Sequence, residues 1–468
     1  EGVVTGAADG YARMAGKPAC TLLHCGPGLA NAVSNLHNAR RARSPVVNIV
    51  GDHATHHRAW DAPLTADVEG IARPVSDWVR YGQSARGIAA DGAAAVQAAR
   101  TPPGQIATLI LPADTAWEAA SGPAAPLPVP APTPAAPQQV ETAARLLRRD
   151  GATVLLLLAG PALTEEGQRA AFRIAAATGC GVLAQMSNAR VARGGGRWPI
   201  ERVPYPVDLA LERLGRYRAC ILVGAKHPVA FFAYPGKPGS LLPPECVVHV
   251  LARPDQDVLG AIEALADEVA AGVAPPPANG GERPRPPGGA VTSEGIAATV
   301  GALMPEGTII VDEGVTTGRG FFAATHAAPP HDWIQLTGGS IGEGLPLALG
   351  ASIACPDRRV IGLQADGSAM YTLQALWSLA RERCNATIIV FANRKYAILR
   401  HELMNVGANP GRTALDMLDL GNPDLDWVRL AAGMGVEGAA AADLDRLADL
   451  LRSSLARRGP FLIELAVP

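Results

Sequence analysis

The sequence predicts an α/β protein built from three parallel-sheet units, and three observations carry that expectation. Near-continuous apolar runs rich in Val, Ile and Leu alternate with longer helical patterns, the signature of strands covered by helices on both faces. Two Pro-rich stretches, "SGPAAPLPVPAPTPAAP" (121–137) and "APPPANGGERPRPPGG" (274–289), can neither continue a helix nor pair as central strands, so they read as extended linkers. A chain of 468 residues with 48% hydrophobic content can bury several cores, and length alone suggests about three domains at roughly 150 residues each. The expected units are 1–120, 138–273 and 290–468.

In the first unit "LLHCGPG" reads as the end of an apolar strand running into a Gly-Pro-Gly turn, with the His24 imidazole pointing into a cleft. The middle unit is the clearest alternation. "ATVLLLLAG" is followed by the helical "TEEGQRAAFRIAAATG", then by "GVLAQ", "RACILVGA" and "VVHVLA". In the third unit "RRVIGLQA" reads as a buried strand ending at Asp366, Ser368 as the N-cap of a helix "AMYTLQALWSLARE", and "ATIIVFA" as the next strand, ending at Asn393.

Composition narrows the function. Lys plus Arg total 41 against 43 acidic residues, a net charge of −2; no basic run is long enough to track a nucleic-acid backbone, so no nucleic-acid partner is expected. The longest apolar runs, such as Val154 to Ala159, are strand-sized, and no signal-peptide pattern opens the sequence, so neither a membrane partner nor export is expected. Seven cysteines without a CxxC pair fit reduced thiols in a cytoplasmic protein.

Ligands gather at the carboxyl ends of the strands of open parallel sheets. A carboxylate at 366 and an amide oxygen 27 residues later, on successive strand ends, bring hard oxygen ligands suited to Mg²⁺ or Ca²⁺, while a following helix start offers N–H groups to an anion. A metal diphosphate satisfies both. Taken alone, the same residues also read as a strand-to-helix turn and a loop.

Asp-Gly-Ser followed by that Asn resembles the thiamine diphosphate motif of the family of acetolactate synthase, benzoylformate decarboxylase and pyruvate decarboxylase. The chain departs from it twice, with Ala365 and Ala392 in place of the first Gly and the first Asn. "EGVVTGAADGYARMAGKPA", "LLHCGPGLANAVSNL", "VDEGVTTG", "QLTGGSIGEGLPLALGA" and "RRGPFLIELAVP" resemble further segments of the same family in the same order. The resemblance implies two thiamine diphosphate-binding folds flanking a Rossmann-like middle domain. It makes Asp366, Asn393 and the carbonyl of Lys395 the Mg²⁺ ligands and Glu1 the cofactor-activating glutamate. His24, 23 residues after Glu1, becomes the active-site histidine. Gly339 and Ile341 would grip the thiamine rings, and Thr316, Gly367, Ser368, Tyr396 and Ile398 would complete the cofactor contacts.

Each assignment has a chemical reason. A carboxylate hydrogen-bonded to the aminopyrimidine favours the imino form, whose nitrogen becomes the base. Ile341 wedged between the two rings, with the Gly339 carbonyl accepting from the 4′-amino group, holds that nitrogen beside the reacting carbon. In the family the glutamate and the metal site belong to different subunits, so a homodimer or a dimer of dimers is implied. Relatives carry further residues before this glutamate, which implies that Glu1 opens a fragment of a longer chain.

The resemblance implies decarboxylation of a 2-oxo acid with carboligation, as in acetolactate synthase. The alternatives are simple decarboxylation to an aldehyde, as in benzoylformate decarboxylase, and a degenerate cofactor-binding paralogue, which Ala365 and Ala392 suggest. The Gln and Trp of acetolactate synthases are not found in "GDHATHHRAWDAP" and "YAILRHELMNVG". The second histidine of benzoylformate decarboxylase is missing from "HPVAFFAYPG", where His227 falls too early, and its aromatic wall near Arg400 gives way to His401 and Glu402. FAD, kept in the middle domain by some acetolactate synthases, has no supporting motif here, and no GxGxxG follows a middle-domain strand. His53, His56 and His57 have metal-binding spacing but no carboxylate partners, and read as a solvated loop.

Overall fold

The computed structural model describes residues 1–278 and 283–468; residues 279–282, inside the second Pro-rich stretch, lie outside the described residues. Three sheets account for the strands. The first holds β1 (Ala19–His24), β2 (Val46–Asp52), β3 (Trp78–Tyr81) and β4 (Ile106–Pro112), all parallel, in the order β1-β2-β4-β3. The chain then adds β5 (Val154–Leu158), β6 (Gly181–Ala184), β7 (Val191–Arg193), β8 (Glu201–Arg202), β9 (Ala219–Val223) and β10 (Val247–Ala252). Five of these form a parallel sheet in the order β10-β9-β5-β6-β8. β11 (Ile309–Glu313), β12 (His331–Gln335), β13 (Val360–Ala365), β14 (Ala386–Ala392), β15 (Glu437–Ala441) and β16 (Phe461–Ala466) form the third, ordered β15-β16-β14-β13-β11-β12-β7. Every residue of β5, β11, β12 and β14 is buried, and β5 and β14 accordingly read as near-continuous apolar runs.

The α/β class with parallel sheets is as expected, with one addition. β7, drawn from the middle segment, leaves its neighbours and pairs antiparallel with β12, Arg193 opposite His331. Its anchor is the Arg193 guanidinium, fully buried, donating to the carbonyls of Ile200 and Phe322 and lying 3.6 Å from the centre of the Phe322 ring. A three-residue run ending in Arg carries no apolar pattern to announce this.

The first Pro-rich stretch is exposed and extended until Pro137 opens the helix Pro137–Asp150, a position where its missing N–H costs nothing. The helices Gly2–Ala15 and Gly344–Ala354 cross with their backbones in close contact. A Cβ on Gly350 would lie 1.8 Å from the Ala7 carbonyl oxygen and one on Gly10 2.2 Å from that of Leu347, so only glycine permits this backbone approach. The crossing fixes the start of the first helix, and hence Glu1, against the third sheet's unit. Among the described residues no helix is long and apolar enough to cross a membrane.

Candidate active site

β13 and β14 lie side by side in parallel register, Ala365 opposite Phe391, so their carboxyl ends deliver Asp366 and Asn393 to one place. Asp366 is 2% exposed. Its Oδ1 accepts from the Gly367 N–H at 2.8 Å and its Oδ2 from the Arg394 N–H at 2.7 Å. Arg394 has φ 55°, a left-handed turn, and Asn393 Oδ1 accepts from the Lys395 N–H across it at 3.1 Å. Burial pushes the Asp366 carboxyl above its ordinary range, opposed by those backbone donors. Thr316, Thr317, Asn393 and Lys395 line one cleft of about 270 Å³ together with Thr292 and Ser293. A cleft walled by hydroxyls and by Asn393 and Lys395, with the Asp366 carboxylate bonded to the Arg394 N–H between those two residues, fits a divalent cation and a phosphate group. Gly367 lies beneath the Tyr396 ring, where a Cβ would sit 2.6 Å from Cε1, and Ile398 is half-buried in the helix Ala397–Asn405.

Two local expectations need correction. Ser368 is not a helix N-cap. A four-residue helix, Asp366–Ala369, starts directly at the strand end with Ala365 as its cap, and the longer helix begins only at Ala375. The intervening turn brings Thr372 Oγ1 to the Gly342 carbonyl at 2.9 Å, so a tertiary hydrogen bond replaces the helical continuation. Gly26-Pro27-Gly28 is no turn either. The helix Cys25–Ala42 starts immediately after His24, with Cys25 at φ 54° making the corner and Pro27 in the first turn, where no N–H is needed.

That corner leaves His24 exposed at the end of β1, its Nδ1 3.9 Å from Cys25 Sγ. Glu1 stands beside it. A Cβ on Gly28 would touch Glu1 Oε1 and His24 Cβ at 3.4 Å each, and Asn31 Nδ2 donates to Glu1 Oε2 at 3.3 Å. His56 and His57 are exposed, and His53, half-buried, lies 5.6 Å from the His57 ring centre.

The loop Thr337–Gly342 joins the two clusters. Gly339 has φ 80°, and Ile341 beside it is half-buried. The helix Cys25–Ala42 clamps this loop. Asn38 donates to the Ser340 carbonyl at 2.7 Å and accepts from its N–H at 3.2 Å, Thr337 donates to the Asn38 carbonyl at 2.8 Å, and Ser34 meets Ser340 at 2.6 Å. Asn35 donates to both the Gly2 and the Gly342 carbonyls, at 2.8 and 3.3 Å, tying the start of Glu1's helix to the Thr337–Gly342 loop of the same chain. Sequence reasoning missed these residues. The available signal was four polar side chains, Ser34, Asn35, His37 and Asn38, crowded into five positions of one helix.

Beneath the loop lie carboxylates that the sequence did not single out. Glu313, at the end of β11, accepts from the backbone N–H groups of Gly342, Glu343 and Gly344 and from Gln364 Nε2. Arg13 links Asp9 to Glu343 Oε1 at 3.0 Å and donates to the Gln335 carbonyl at 2.7 Å, all fully buried. Asp9 takes two donors of the guanidinium and the Ser44 hydroxyl as well. Burial, with Asp9 and Glu313 nearby, pushes Glu343 well above the carboxylate range despite Arg13, and its Oε2 has no partner. Of the two carboxyls that meet Arg13, Glu343 is thus the one that holds a proton more readily. Because a raised folded-state pKa favours folding below the ordinary Glu range and loses that advantage as pH rises toward the folded value, Glu343→Gln should gain on the native protein with rising pH. The gain should be up to about 1.4 kcal/mol per pH unit, checked by urea unfolding at pH 5 and pH 7; identical pH dependence of the two proteins would place the proton elsewhere.

Residues 1–71 match the family described as "Thiamine pyrophosphate enzyme, N-terminal TPP binding domain", and residues 317–465 match its "C-terminal TPP binding domain". The chain is 49% identical over its whole length to "Putative acetolactate synthase large subunit IlvX" of Mycobacterium tuberculosis, covering 90% of that protein. It is 31% identical to benzoylformate decarboxylase of Pseudomonas aeruginosa, over 99% of this chain and 90% of the relative. Among solved structures, the thiamine diphosphate-dependent 4-hydroxybenzoylformate decarboxylase of Rhodococcus jostii superposes with a TM-score of 0.83 at 27% identity, over 99% of this chain and 90% of that one. Two matched cofactor domains and full-length likeness at this identity decide the matter: the chain belongs to the thiamine diphosphate-dependent enzyme family, among relatives that act on 2-oxo acids.

Proposed function

We propose that this protein is a thiamine diphosphate- and Mg²⁺-dependent enzyme that decarboxylates a 2-oxo acid and joins the remaining acyl unit to a second carbonyl compound. The observation that carries it is the meeting of Asp366, Asn393 and Lys395 at neighbouring strand ends, beside a hydroxyl-lined cleft that includes Thr316. Asp366, Asn393 and the Lys395 carbonyl would hold Mg²⁺; Thr316, Gly367 and Ser368 would face the diphosphate. The Gly339 carbonyl, Ile341, Tyr396 and Ile398 would orient the rings. Thiamine diphosphate, when bound, supplies the electron sink that lets a 2-oxo acid lose CO₂.

The remaining work falls to the chain. Glu1 would hold a hydrogen bond to the aminopyrimidine nitrogen and so set its protonation, and His24 would give a proton to the substrate's carbonyl oxygen. Ala365 and Ala392 leave this arrangement intact: Ala365 caps the short helix, and Ala392 is a buried residue of β14 opposite Ala466. Carboligation follows the likeness to the acetolactate synthase-named relative. Release of an aldehyde is the second reading, favoured by the likeness to benzoylformate decarboxylase over nearly the whole chain. Self-association into a dimer that completes the site, and a cytoplasmic location, belong to the same proposal. Incubation with pyruvate or benzoylformate, cofactor and Mg²⁺, with and without an acceptor aldehyde, should release CO₂ only with cofactor and yield a hydroxyketone when acceptor is present. Aldehyde alone would favour the second reading; no cofactor-dependent CO₂ from either acid would sink the enzymatic one.

A further inference from the structure

Ile341 lies between two grips on the backbone. On one side Asn38 bonds both the N–H and the carbonyl of Ser340. On the other, Glu313 accepts from the N–H groups of three successive residues. Its Oε1 takes Gly342 at 2.8 Å and Glu343 at 3.2 Å; its Oε2 takes Gly344 at 2.8 Å and, at the same distance, Gln364 Nε2. Glu313 and Gln364 are register partners on β11 and β13, in the middle of the third sheet. The helix Gly344–Ala354 starts at this point, and Glu343 makes no side-chain cap bond for it. Glu313 supplies from outside the acceptors and the negative charge that a helix start favours. The fit is close: a Cβ on Gly344 would lie 2.9 Å from Glu313 Cβ.

A carboxylate is a poor choice here for packing alone. Glu313 is 2% exposed, and among the described residues its partners are backbone N–H groups and one amide, none of them a cation. Burial pushes its carboxyl above the ordinary range, and the four donors oppose that shift. An apolar residue would fill the strand end without the desolvation penalty. Only an acceptor-only group, however, can take four donors at once. The carboxylate thereby fixes the backbone from Gly342 to Gly344, and with it the residue just before, Ile341. It does not line the cleft of Thr316 and Asn393.

We infer that Glu313 is a positioning residue for the thiamine rings: through the Gly342–Gly344 backbone it sets Ile341 and the Gly339 carbonyl, and it takes no part in holding the diphosphate. The inference rests on the reading proposed above for the cofactor site.

The test compares wild type, Glu313→Gln and the double variant Glu313→Gln/Gln364→Glu, all in Mg²⁺. Glu313→Gln sets an amide donor against two of the four donors, whichever way the amide faces. The double variant returns a carboxylate to the pair from the neighbouring strand, where it can accept from the new amide. Calorimetry gives each protein's affinity for thiamine diphosphate and for inorganic pyrophosphate, which has no rings. NMR gives the exchange rate of the C2 proton of bound cofactor in D₂O. Wild type should bind thiamine diphosphate more tightly than pyrophosphate. Glu313→Gln should lower that ratio by about 10-fold, the scale of one charge-assisted hydrogen bond. Its pyrophosphate affinity should stay within about threefold of native, since the two sites share no partner. Exchange should slow by about 10-fold or more, because a small misplacement of reacting groups has a large effect on rate. The double variant should regain most of both losses. Glu313→Asp, which keeps the charge but falls one methylene short, should show the same two losses and carries the test if Glu313→Gln does not fold. A ratio and an exchange rate unchanged in both single variants overturns the inference while leaving the cofactor site standing. So does an equal loss of affinity for both compounds, or a double variant no better than Glu313→Gln. A wild type that binds neither compound, or both equally, overturns the reading of the site and the inference with it.

Discussion

Asp366→Ala is expected to abolish the thermal stabilisation that thiamine diphosphate and Mg²⁺ confer together. A ligand at about 100 times its dissociation constant stabilises its protein by about 2.7 kcal/mol. That gain requires the diphosphate's metal to find enough hard oxygens in the cleft. Asp366 provides the one charged oxygen pair among Asp366, Asn393 and Lys395, and its two oxygens also organise the Gly367 and Arg394 backbone around the ion site. Its removal leaves an amide and a carbonyl on a turn that has lost its anchor. The unliganded variant should itself lose about 1 kcal/mol or more, because the buried Gly367 N–H is orphaned and the Arg394 N–H loses its partner. The readout is therefore the difference between melting with and without cofactor in each protein. A shift as large as wild type's would remove Asp366 from the site.

Glu1→Gln should keep the fold and the cofactor but slow exchange of the thiamine C2 proton by about 10²-fold or more, the scale for losing an acid or base in proton transfer. Glu1 makes no contribution to the core. Its side chain is exposed, held by Asn31 Nδ2 and set beside His24 across Gly28, so the substitution leaves packing untouched. What changes is chemical: a carboxyl group can share a proton with the aminopyrimidine nitrogen, whereas an amide can only offer one of its own. Exchange followed by NMR in D₂O with cofactor bound is the direct reading, and an unchanged rate would assign activation to another group.

The parts of the fold legible in the sequence are those set by local pattern. Buried parallel strands such as β5 and β14 are unbroken apolar runs, and in parallel sheets their carboxyl ends are ligand sites, so Asp366 and Asn393 could be placed together before any contact was known. Glu1 and His24 were found through a family motif, and the structure sets them side by side. The parts that were not legible depend on contacts distant in sequence. Thr372 leaves a helical pattern to bond Gly342, which moved the helix start that Ser368 was expected to cap. β7 is too short to show a period, and it joins the third sheet because Arg193 finds two carbonyls and an aromatic face there. Asn35 and Asn38 look like a solvated helix face until the Thr337–Gly342 loop is laid on them. Glu313 sits in an apolar strand with nothing in its neighbourhood to reveal the three backbone donors that it accepts from.

The central claim is that this chain binds thiamine diphosphate through a divalent metal held by Asp366, Asn393 and Lys395 at the ends of β13 and β14. Calorimetric titration of wild type with thiamine diphosphate, in Mg²⁺ and then in excess EDTA, tests it most directly. Saturable binding at one cofactor per chain in Mg²⁺, lost in EDTA and restored by returning Mg²⁺, is the predicted result; no binding in Mg²⁺, or binding of equal strength in EDTA, would contradict it.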